Sequence, residues 1–338
     1  MNKKANITDI ALKTGLSIST VSRVLNGKAK QYRIGIKAQE KIMSAADTLN
    51  YIPNLFAANL KSGRSRTIAL IIPSLSNPFF AGIACSINQE IRRSGYITII
   101  GDSDENYEHE KTEIQQLVSR NIEGLIIVPC GNNVEHLQKL QNQRVPVVCV
   151  DRYFEDAGIS YVSTDNYHGA FAATNLLIEN GHKEIACIQG VQQSTPNHLR
   201  VRGFLDAMRK AGIQKPYVTG DDFSIQNGYL ETKLLMRQKN RPTAIFTLSN
   251  TIAMGCMKAF KEENVCVPDD ISLITFDEHP YLEYLSTPLS CVAQPVADIC
   301  KIAVKFLFAK IENYEIPTKQ ILLKPEIKQK KSIRHLSG

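Results

Sequence analysis

From Thr67 onward, short runs of β-branched and other apolar residues alternate with stretches of helical periodicity. This alternation constrains the fold more than any other feature, because strands that alternate with helices form parallel sheets with helices on both faces. Ten strands are predicted, which is many for one sheet and natural for an α/β body of two lobes. They cover residues 67–72, 96–100, 125–128, 145–150, 161–163, 184–189, 244–248, 271–275, 289–292 and 320–323, with helices over 79–94, 167–180, 199–211, 252–263 and 296–312.

Positive charge is concentrated at the start of the chain. Residues 1–66 carry 12 Lys and Arg against 3 Asp and Glu, whereas residues 67–338 carry 28 against 30. A small basic head before a near-neutral body indicates that the head binds a polyanion. A disordered basic tail is the alternative, but the head contains too much periodic apolar sequence for it. No apolar run approaches the ~18 residues of a membrane span, and no hydrophobic signal segment follows Met1.

Three short helices are predicted in the head, over residues 7–12, 18–26 and 37–50. Gly15 ends the first helix and Ser17 is a good N-cap for the second. Two short helices joined by a tight glycine-containing turn are typical of a helix-turn-helix, although any amphipathic three-helix domain shares the pattern. The second helix presents hydrogen-bonding side chains that can read base edges in a major groove. The predicted inward residues are Ile7, Ile10, Ala11, Ile18, Val21, Leu25, Ile42, Ala45, Ala46 and Leu49.

Residues 53–66 predict a short helix that depends on a partner. Pro53 suits a helix start and Gly63 suits a helix end, which leaves only about two turns between them. Helices below ~12 residues are marginal in water, so we expect this one to become ordered against a partner. A linker that packs back onto a domain is the alternative.

Polar and aromatic residues follow the carboxyl ends of the predicted strands, where ligands bind in open parallel sheets. Carboxylates, amides and an arginine can bind hydroxyl groups while aromatic rings cover an apolar sugar face. Some of these residues, Asp102 and Asn77 in particular, also suit ordinary turn and cap positions. The set comprises Ser74, Asn77, Phe79, Phe80, Asp102, Ser103, Asp151, Arg152, Arg200, Asn250, Asp277, Glu278 and His279.

Signals for enzymatic chemistry are weak. The chain has no GxSxG, HExxH, Walker or GxGxxG motif, and its seven histidines lack metal-ligand spacing. His109 and His136 are expected on surface helices. None of the eight cysteines forms a CxxC pair, which favours reduced, buried thiols. The basic segment 324–334 lacks an apolar period and predicts a solvated tail. We therefore expect no metal, no cofactor and no catalytic site.

Three segments of the head resemble, in order, the lactose-repressor (LacI/GalR) family of bacterial transcription regulators. They are residues 6–11 (Asn-Ile-Thr-Asp-Ile-Ala), 15–26 (Gly-Leu-Ser-Ile-Ser-Thr-Val-Ser-Arg-Val-Leu-Asn) and 49–54 (Leu-Asn-Tyr-Ile-Pro-Asn). The resemblance implies that the helix-turn-helix docks in the major groove and that hinge helices of two subunits pair in the minor groove. It implies base contacts from Ile18, Ser19 and Arg23, phosphate contacts from Thr8, Ser17, Ser22 and Asn26, and minor-groove contacts from Ala57 and a wedging Leu60.

The chain departs from the family pattern at residues 27–36, where the loop is a few residues longer than is common. We expect Lys28, Lys30 and Arg33 in this loop to contact the DNA backbone, and no residue of the loop to contact bases.

For the remainder of the chain the resemblance implies a periplasmic-binding-protein-like body that dimerises and has crossovers near residues 164, 292 and 323. The domains are then a helix-turn-helix at 1–52, a hinge at 53–66 and the two-lobed body at 67–338. Effector contacts are implied for Asp151, Arg200, Phe223, Asn250 and Asp277, to which the strand ends add Ser74 and Phe79. Residues 192–195 lack the second arginine of the purine-responsive branch, which favours a sugar or sugar acid.

The sequence thus predicts a cytoplasmic, sequence-specific DNA-binding regulator, specifically a repressor controlled by a small molecule. Its expected partners are a pseudo-palindromic double-stranded operator, a sugar or sugar acid, and a second copy of the chain, with tetramers left open. The alternatives are a sugar-binding protein without DNA function and a sugar-processing enzyme. The basic helix-turn-helix argues against the first alternative, and the missing catalytic motifs argue against the second.

Overall fold

Residues 5–51 form three helices of the N-terminal head, which is separated from the body between residues 65 and 66. The computed structural model describes residues 5–51, 64–214 and 216–336. The head helices are α1 (Ile7–Thr14), α2 (Ile18–Leu25) and α3 (Ile36–Thr48). Most of the predicted hinge, with Ala57 and Leu60, lies outside the described residues, so those roles remain predictions.

Local side-chain chemistry fixes the first two helix starts. Asn6 and Asp9 form a reciprocal capping box at α1, and Gly15 ends that helix with a φ of 66°. The Ser17 hydroxyl accepts a hydrogen bond from the Thr20 amide and caps α2. The head core is built from Ile10, Ala11, Val21, Val24, Ala29, Ile42, Ala45 and Ala46.

The inward face of α2 differs from the predicted one. Val21 and Val24 are buried, whereas Ile18 is 49% exposed and Leu25 only half-buried. A helix of eight residues that packs on two others buries only the side chains that face those two helices. Ile18 is the first residue of α2, at the free N-terminal end of the helix. The prediction that Ile18 packs inward is therefore wrong, and its side chain is available at the surface.

The body contains two six-stranded sheets, which we call lobe one and lobe two. Lobe one has the strand order β11-β5-β4-β3-β1-β2, and every neighbouring pair is parallel. Its strands are β1 (Thr67–Ile72), β2 (Ile97–Asp102), β3 (Gly124–Ile127), β4 (Val147–Val150), β5 (Ser160–Thr164) and β11 (Gln320–Leu323). Helices α4 (Pro78–Arg93) and α11 (Val296–Glu312) cover one face, and α5 (Tyr107–Ser119) and α6 (Glu135–Asn142) cover the other.

Lobe two has the order β12-β10-β9-β8-β6-β7, with only the β12–β10 pair antiparallel. Its strands are β6 (Ile185–Ile188), β7 (Tyr217–Thr219), β8 (Ala244–Thr247), β9 (Ser272–Phe276), β10 (Ser290–Ala293) and β12 (Glu326–Lys328). Helices α7 (Asn166–Glu179) and α8 (Thr195–Lys210) pack on one face, and α9 (Ile225–Met236) and α10 (Asn250–Glu263) on the other. A helical head with two mainly parallel lobes confirms the predicted fold class.

Three connections join the lobes, between β5 and α7, between β10 and α11, and between β11 and β12. The connections are bonded to one another. The Asp165 amide donates to the Leu323 carbonyl at 2.8 Å, and the Thr164 hydroxyl donates to the side-chain oxygen of Gln294. These hydrogen bonds hold the three connections together next to the strand ends that face the inter-lobe cleft.

The predicted solvated tail at residues 324–334 is wrong. Strand β12 pairs with β10, and Ser332 is fully buried. The Ser332 hydroxyl donates to the Leu273 carbonyl at 2.6 Å and accepts from the Ser290 amide at 2.8 Å. Strand β12 is a short edge strand of three residues, which is too few for an apolar periodicity to be visible in the sequence.

Two expectations about single residue types need correction. His136 is buried, not on the surface, and its Nε2 lies 2.7 Å from Oε1 of the buried Glu110. All eight cysteines are free, but Cys85 and Cys266 are exposed while the other six are buried. In the described part of the chain no helix is long and apolar enough to cross a membrane.

Candidate DNA-reading surface and inter-lobe cleft

The predicted DNA contacts of the head lie at its surface. In and around α2 the exposed residues are Ser17, Ser19, Arg23 and Asn26, whereas Ser22 is half-buried. Thr8 is exposed in the first turn of α1. The Asn26 side-chain amide donates to the Ser22 carbonyl at 2.7 Å. Seven of the nine predicted contacts are thereby placed in surface positions: Thr8, Ser17, Ile18, Ser19, Ser22, Arg23 and Asn26.

One residue of the loop after α2 contacts the predicted base reader, Arg23. The guanidinium carbon of Arg23 lies 3.9 Å from the centroid of the Tyr32 ring. Only the cations of this loop were predicted to contact DNA. Tyr32 was not predicted, because a ring nine residues after Arg23 in the chain carries no local signal of a contact with it.

Five of the seven predicted effector residues line one narrow cavity in the cleft, with a volume of ≈ 20 Å³. Phe79 and Asp151 come from lobe one, and Arg200, Phe223 and Asp277 come from lobe two. The cavity is completed by Asn77, Phe80, Arg152, Pro196 and Ser249. The chain therefore brings polar groups of both lobes to one place in the cleft.

Arg200, in the second turn of α8, is 3% exposed. Its Nε donates to Oδ1 of Asn166 at 2.7 Å, and its Nη1 donates to the Leu248 carbonyl at 2.7 Å. The guanidinium also lies 3.7 Å from the centroid of the Phe276 ring. Burial lowers the pKa of Arg200, and the nearby carboxylates oppose that shift, so the group stays charged. These contacts fix the orientation of the Arg200 guanidinium.

Asp277 follows β9 in a left-handed backbone conformation with a φ of 71° and is 4% exposed. Its Oδ1 accepts from the Gln294 side-chain amide at 2.6 Å and lies 3.8 Å from Nη2 of Arg200. Burial raises the pKa of Asp277, while Arg200, Gln294 and the Asn250 backbone amide act in the opposite direction. The carboxylate therefore has partners on one oxygen and a cationic neighbour.

Asp151 is the least satisfied member of the cavity. It is 4% exposed, and its Oδ1 has no hydrogen-bond partner among the described residues. Burial raises its pKa to about 6, although Arg200 and Arg152 act against this shift. The side-chain amide of Asn250, 1% exposed, is likewise unpaired within the described chain. Buried polar atoms without partners are costly, so their presence at a cleft indicates a polar ligand.

Arg152 forms a second polar centre beside the cavity. Its guanidinium donates to both carboxylate oxygens of Glu105, at 2.7 and 2.6 Å. Burial acts to lower the pKa of Arg152, but the hydrogen bonds and charge of Glu105 hold it above its usual value. This pair borders a neighbouring cavity of ≈ 230 Å³ that reaches Gln193 and Thr195 at the start of α8.

Ser74 does not line the narrow cavity, because its hydroxyl bonds to Ser76 at 2.8 Å and closes a local turn. Asn250 is adjacent to the cavity-lining Ser249 but is not itself part of the lining. Asp102 accepts from the Leu75 and Asp104 amides, as expected of a turn residue. The structure leaves Ser74 without the proposed cleft contact.

Several supporting residues of the cleft were not predicted from the sequence. Asn166 and Gln294 orient Arg200 and Asp277, but both follow strand ends at lobe connections, where no motif marks them. Glu105 was missed because its partner is 47 residues away. Gly190 admits the Phe223 ring, since a Cβ at that position would collide with it. Only the position of Gly190, two residues after the end of β6, could have suggested a close approach.

Comparisons with known proteins agree with this arrangement. Residues 65–301 match the family model of periplasmic binding proteins and sugar binding domain of LacI family, and residues 6–54 match that of bacterial regulatory proteins, lacI family. The chain is 30% identical over 337 residues to the HTH-type transcriptional repressor PurR of Vibrio campbellii, which covers 98% of this chain and 100% of that protein.

Two solved structures share the fold. The lac repressor dimer bound to operator and the anti-inducer ONPF matches with a TM-score of 0.87 at 24% identity, covering 98% of this chain and 100% of that one. A LacI family transcriptional regulator from Enterococcus faecium with bound ribose matches with a TM-score of 0.75 at 25% identity, covering 80% and 100%. The relatives are regulators and not enzymes. The chain belongs to the LacI family, and is a DNA-binding transcriptional repressor with an effector-binding body.

Proposed function

We propose that this repressor binds, as a homodimer, a pseudo-palindromic operator through α2 and is controlled by a neutral sugar or sugar derivative held between its lobes. The observation that carries the effector assignment is the buried set of Asp151, Arg200 and Asp277, in which Oδ1 of Asp151 has no partner among the described residues. The similar Enterococcus faecium regulator holds ribose, which supports a sugar.

The charge balance of the cavity favours a neutral effector over the sugar acid that the sequence left open. Arg152 is already paired with Glu105, so Arg200 alone faces Asp151 and Asp277. An added carboxylate or phosphate would meet two acids and one base at low dielectric, where like charges repel strongly. Hydroxyl groups instead donate to the carboxylates and accept from the arginine. Phe79 and Phe223 supply rings against the apolar face of a sugar.

The head supports the DNA assignment through its charge and its polar α2 surface. Serine and asparagine can donate to phosphate oxygens, and Arg23 can bind guanine with two hydrogen bonds. Lys28, Lys30 and Arg33 are exposed in the loop after α2, which suits contacts with the DNA backbone.

Apolar surface on the body supports self-association. Leu230 and Leu234, one helical turn apart on α9, are 48% and 54% exposed. On lobe one, Ile97 of the edge strand β2 is 60% exposed. Exposed apolar side chains that cluster on one element mark protein contacts more often than chance.

A thermal-shift panel tests the effector class. The full chain is heated with pentoses, hexoses and disaccharides, each beside its matched sugar acid and sugar phosphate. A ligand that binds only the native state adds about 2.7 kcal/mol of stability at 100 times its dissociation constant. We expect a neutral sugar to raise the melting temperature and its acid and phosphate to fail. Stabilisation by acids or phosphates alone would overturn the neutral assignment, and no stabilisation by any of them would overturn the sugar class.

A further inference from the structure

The loop between α2 and α3 has a fixed shape. Ala29 is buried in the head core, which anchors the loop in its middle. The Lys28 amide donates to the Arg23 carbonyl at 2.8 Å, the Tyr32 amide to the Lys28 carbonyl at 3.2 Å and the Ile34 amide to the Ala29 carbonyl at 2.9 Å. The Gln39 side chain also donates to the Ile34 carbonyl at 2.7 Å. The loop therefore holds Tyr32 at a defined position relative to α2.

Tyr32 is placed to hold the Arg23 side chain. The 3.9 Å separation of the guanidinium carbon from the ring centroid is a close cation–π contact. Both residues are exposed, and within residues 5–51 no carboxylate forms an ion pair with Arg23. The ring is thus the described partner of this guanidinium.

Stacking leaves the hydrogen-bonding edge of an arginine free. The guanidinium is planar and its N–H groups point outward in that plane, so a ring below the plane occupies none of them. A free arginine on a helix surface samples many rotamers, and binding a base with two hydrogen bonds requires one of them. A ring that restricts the side chain in advance reduces the entropy lost on binding.

We propose that Tyr32 is a positioning residue for DNA recognition, which holds Arg23 ready for bidentate contact with a guanine of the operator. The inference rests on the proposed function, in which α2 reads the major groove. It makes guanine specificity depend on a residue outside the recognition helix, in the segment where this chain is longer than the common family loop.

The test uses the full chain and a duplex that the wild-type protein enriches from a randomised double-stranded library. Binding is measured at one salt concentration on that duplex, on random DNA, and on copies with each guanine in turn replaced by 7-deazaguanine, which lacks the N7 acceptor. Exposed cation–π contacts correspond to about a two- to fivefold effect. We expect Tyr32→Leu to weaken binding to the enriched duplex about fivefold, to leave random DNA unaffected and to reduce the 7-deazaguanine effect at one position.

Control variants separate positioning from packing. Tyr32→Phe keeps the ring and should bind as the wild type does, as should Gln31→Leu, which changes a neighbouring exposed residue. In an Arg23→Ala background, Tyr32→Leu should cause no further loss. Equal losses on both DNAs, additive losses with Arg23→Ala, or a defect in Tyr32→Phe would each overturn the proposal. Failure of the wild-type protein to enrich any duplex would instead overturn the DNA-reading assignment of α2, and the inference with it.

Discussion

Arg200 keeps its charge inside the body because two hydrogen bonds, an aromatic ring and a carboxylate surround its guanidinium. Hydrogen bonds to Asn166 and Leu248 and the face of Phe276 replace the water it has lost, and Asp277 balances its charge. A preorganised cation of this kind costs a ligand nothing to arrange. The sequence located Arg200, Asp151 and Asp277 because each follows a strand or begins a helix, but their supporting amides are visible only in three dimensions.

Replacing Arg200 with alanine should abolish the response to the effector. The change removes charged hydrogen bonds, each worth about 1.5–3 kcal/mol, so we expect at least a hundredfold loss of effector affinity in calorimetry. Basal DNA binding should persist because the head is unchanged. Arg202→Ala, an exposed arginine on the same helix, is the control and should respond normally. A normal response by folded Arg200→Ala would show that the cleft is not the effector site.

Effector binding should weaken below pH 6. Burial raises the pKa of Asp151 to about 6, and the ionised carboxylate accepts hydrogen bonds from hydroxyl groups more strongly than the protonated acid does. The carboxylate is mostly ionised at pH 8 and mostly protonated at pH 5, so affinity should fall by up to about tenfold per pH unit below the pKa. Titration calorimetry between pH 5 and 8 measures this, and Asp151→Asn, which leaves Asp277 intact, should flatten the profile. An unchanged profile in that variant would assign the titration to another group.

At the scale of elements, the sequence predicted every long strand of the body within one or two residues. Most of those strands are buried apolar runs, whose signal is local, whereas the edge strands β2 and β11 are only partly buried. The short edge strands β7 and β12 were not predicted, since three residues carry no period and their pairing depends on neighbours far along the chain. In the head, the helix positions were predicted but the inward face of α2 was not, because Ile18 and Val24 are equally apolar.

The C-terminal segment should contribute measurably to stability. Ser332→Ala would leave the buried Ser290 amide and Leu273 carbonyl without their partner, at a cost of about 1–3 kcal/mol in the free energy of unfolding. Chemical denaturation measures the change. The exposed Ser286 in the same lobe supplies the control, and Ser286→Ala should stay within about 0.5 kcal/mol of the parent. Similar values for both variants would contradict a structural role for the segment.

The exposed face of α9 should matter for assembly. Leu230→Glu combined with Leu234→Glu places charge where we propose a dimer contact, and charged side chains are disfavoured at the buried centre of an interface. Sedimentation should then show a shift toward monomers and weaker operator binding. Tyr284→Asp, at a position 85% exposed, is the comparison and should leave the dimer intact. A stable dimer in the double variant would place the interface elsewhere.

For the whole molecule, the uneven distribution of charge predicts that the head binds DNA and that the body binds the effector. The head carries all of the excess positive charge, whereas the body is slightly negative. Operator affinity should therefore fall steeply with salt, by about 0.9 in the logarithmic slope for each phosphate contact. Residues 66–338 expressed alone should retain effector affinity and lose this DNA binding. Comparable DNA affinity of the isolated body would refute the assignment of the contacts to the head.

Gln294 links the connections between the lobes to the cleft through two hydrogen bonds. It lies at one lobe connection, receives a hydrogen bond from Thr164 at another, and donates to Asp277 inside the cleft. A ligand that contacts Asp277 would therefore act directly beside the connections between the two lobes. A small displacement near an axis of rotation produces a larger displacement far from that axis. Packed interfaces can likewise convert sub-ångström shifts into larger rotations of whole domains. We therefore expect that a ligand in the cleft needs to move the Asp277 carboxylate only slightly to turn one lobe relative to the other.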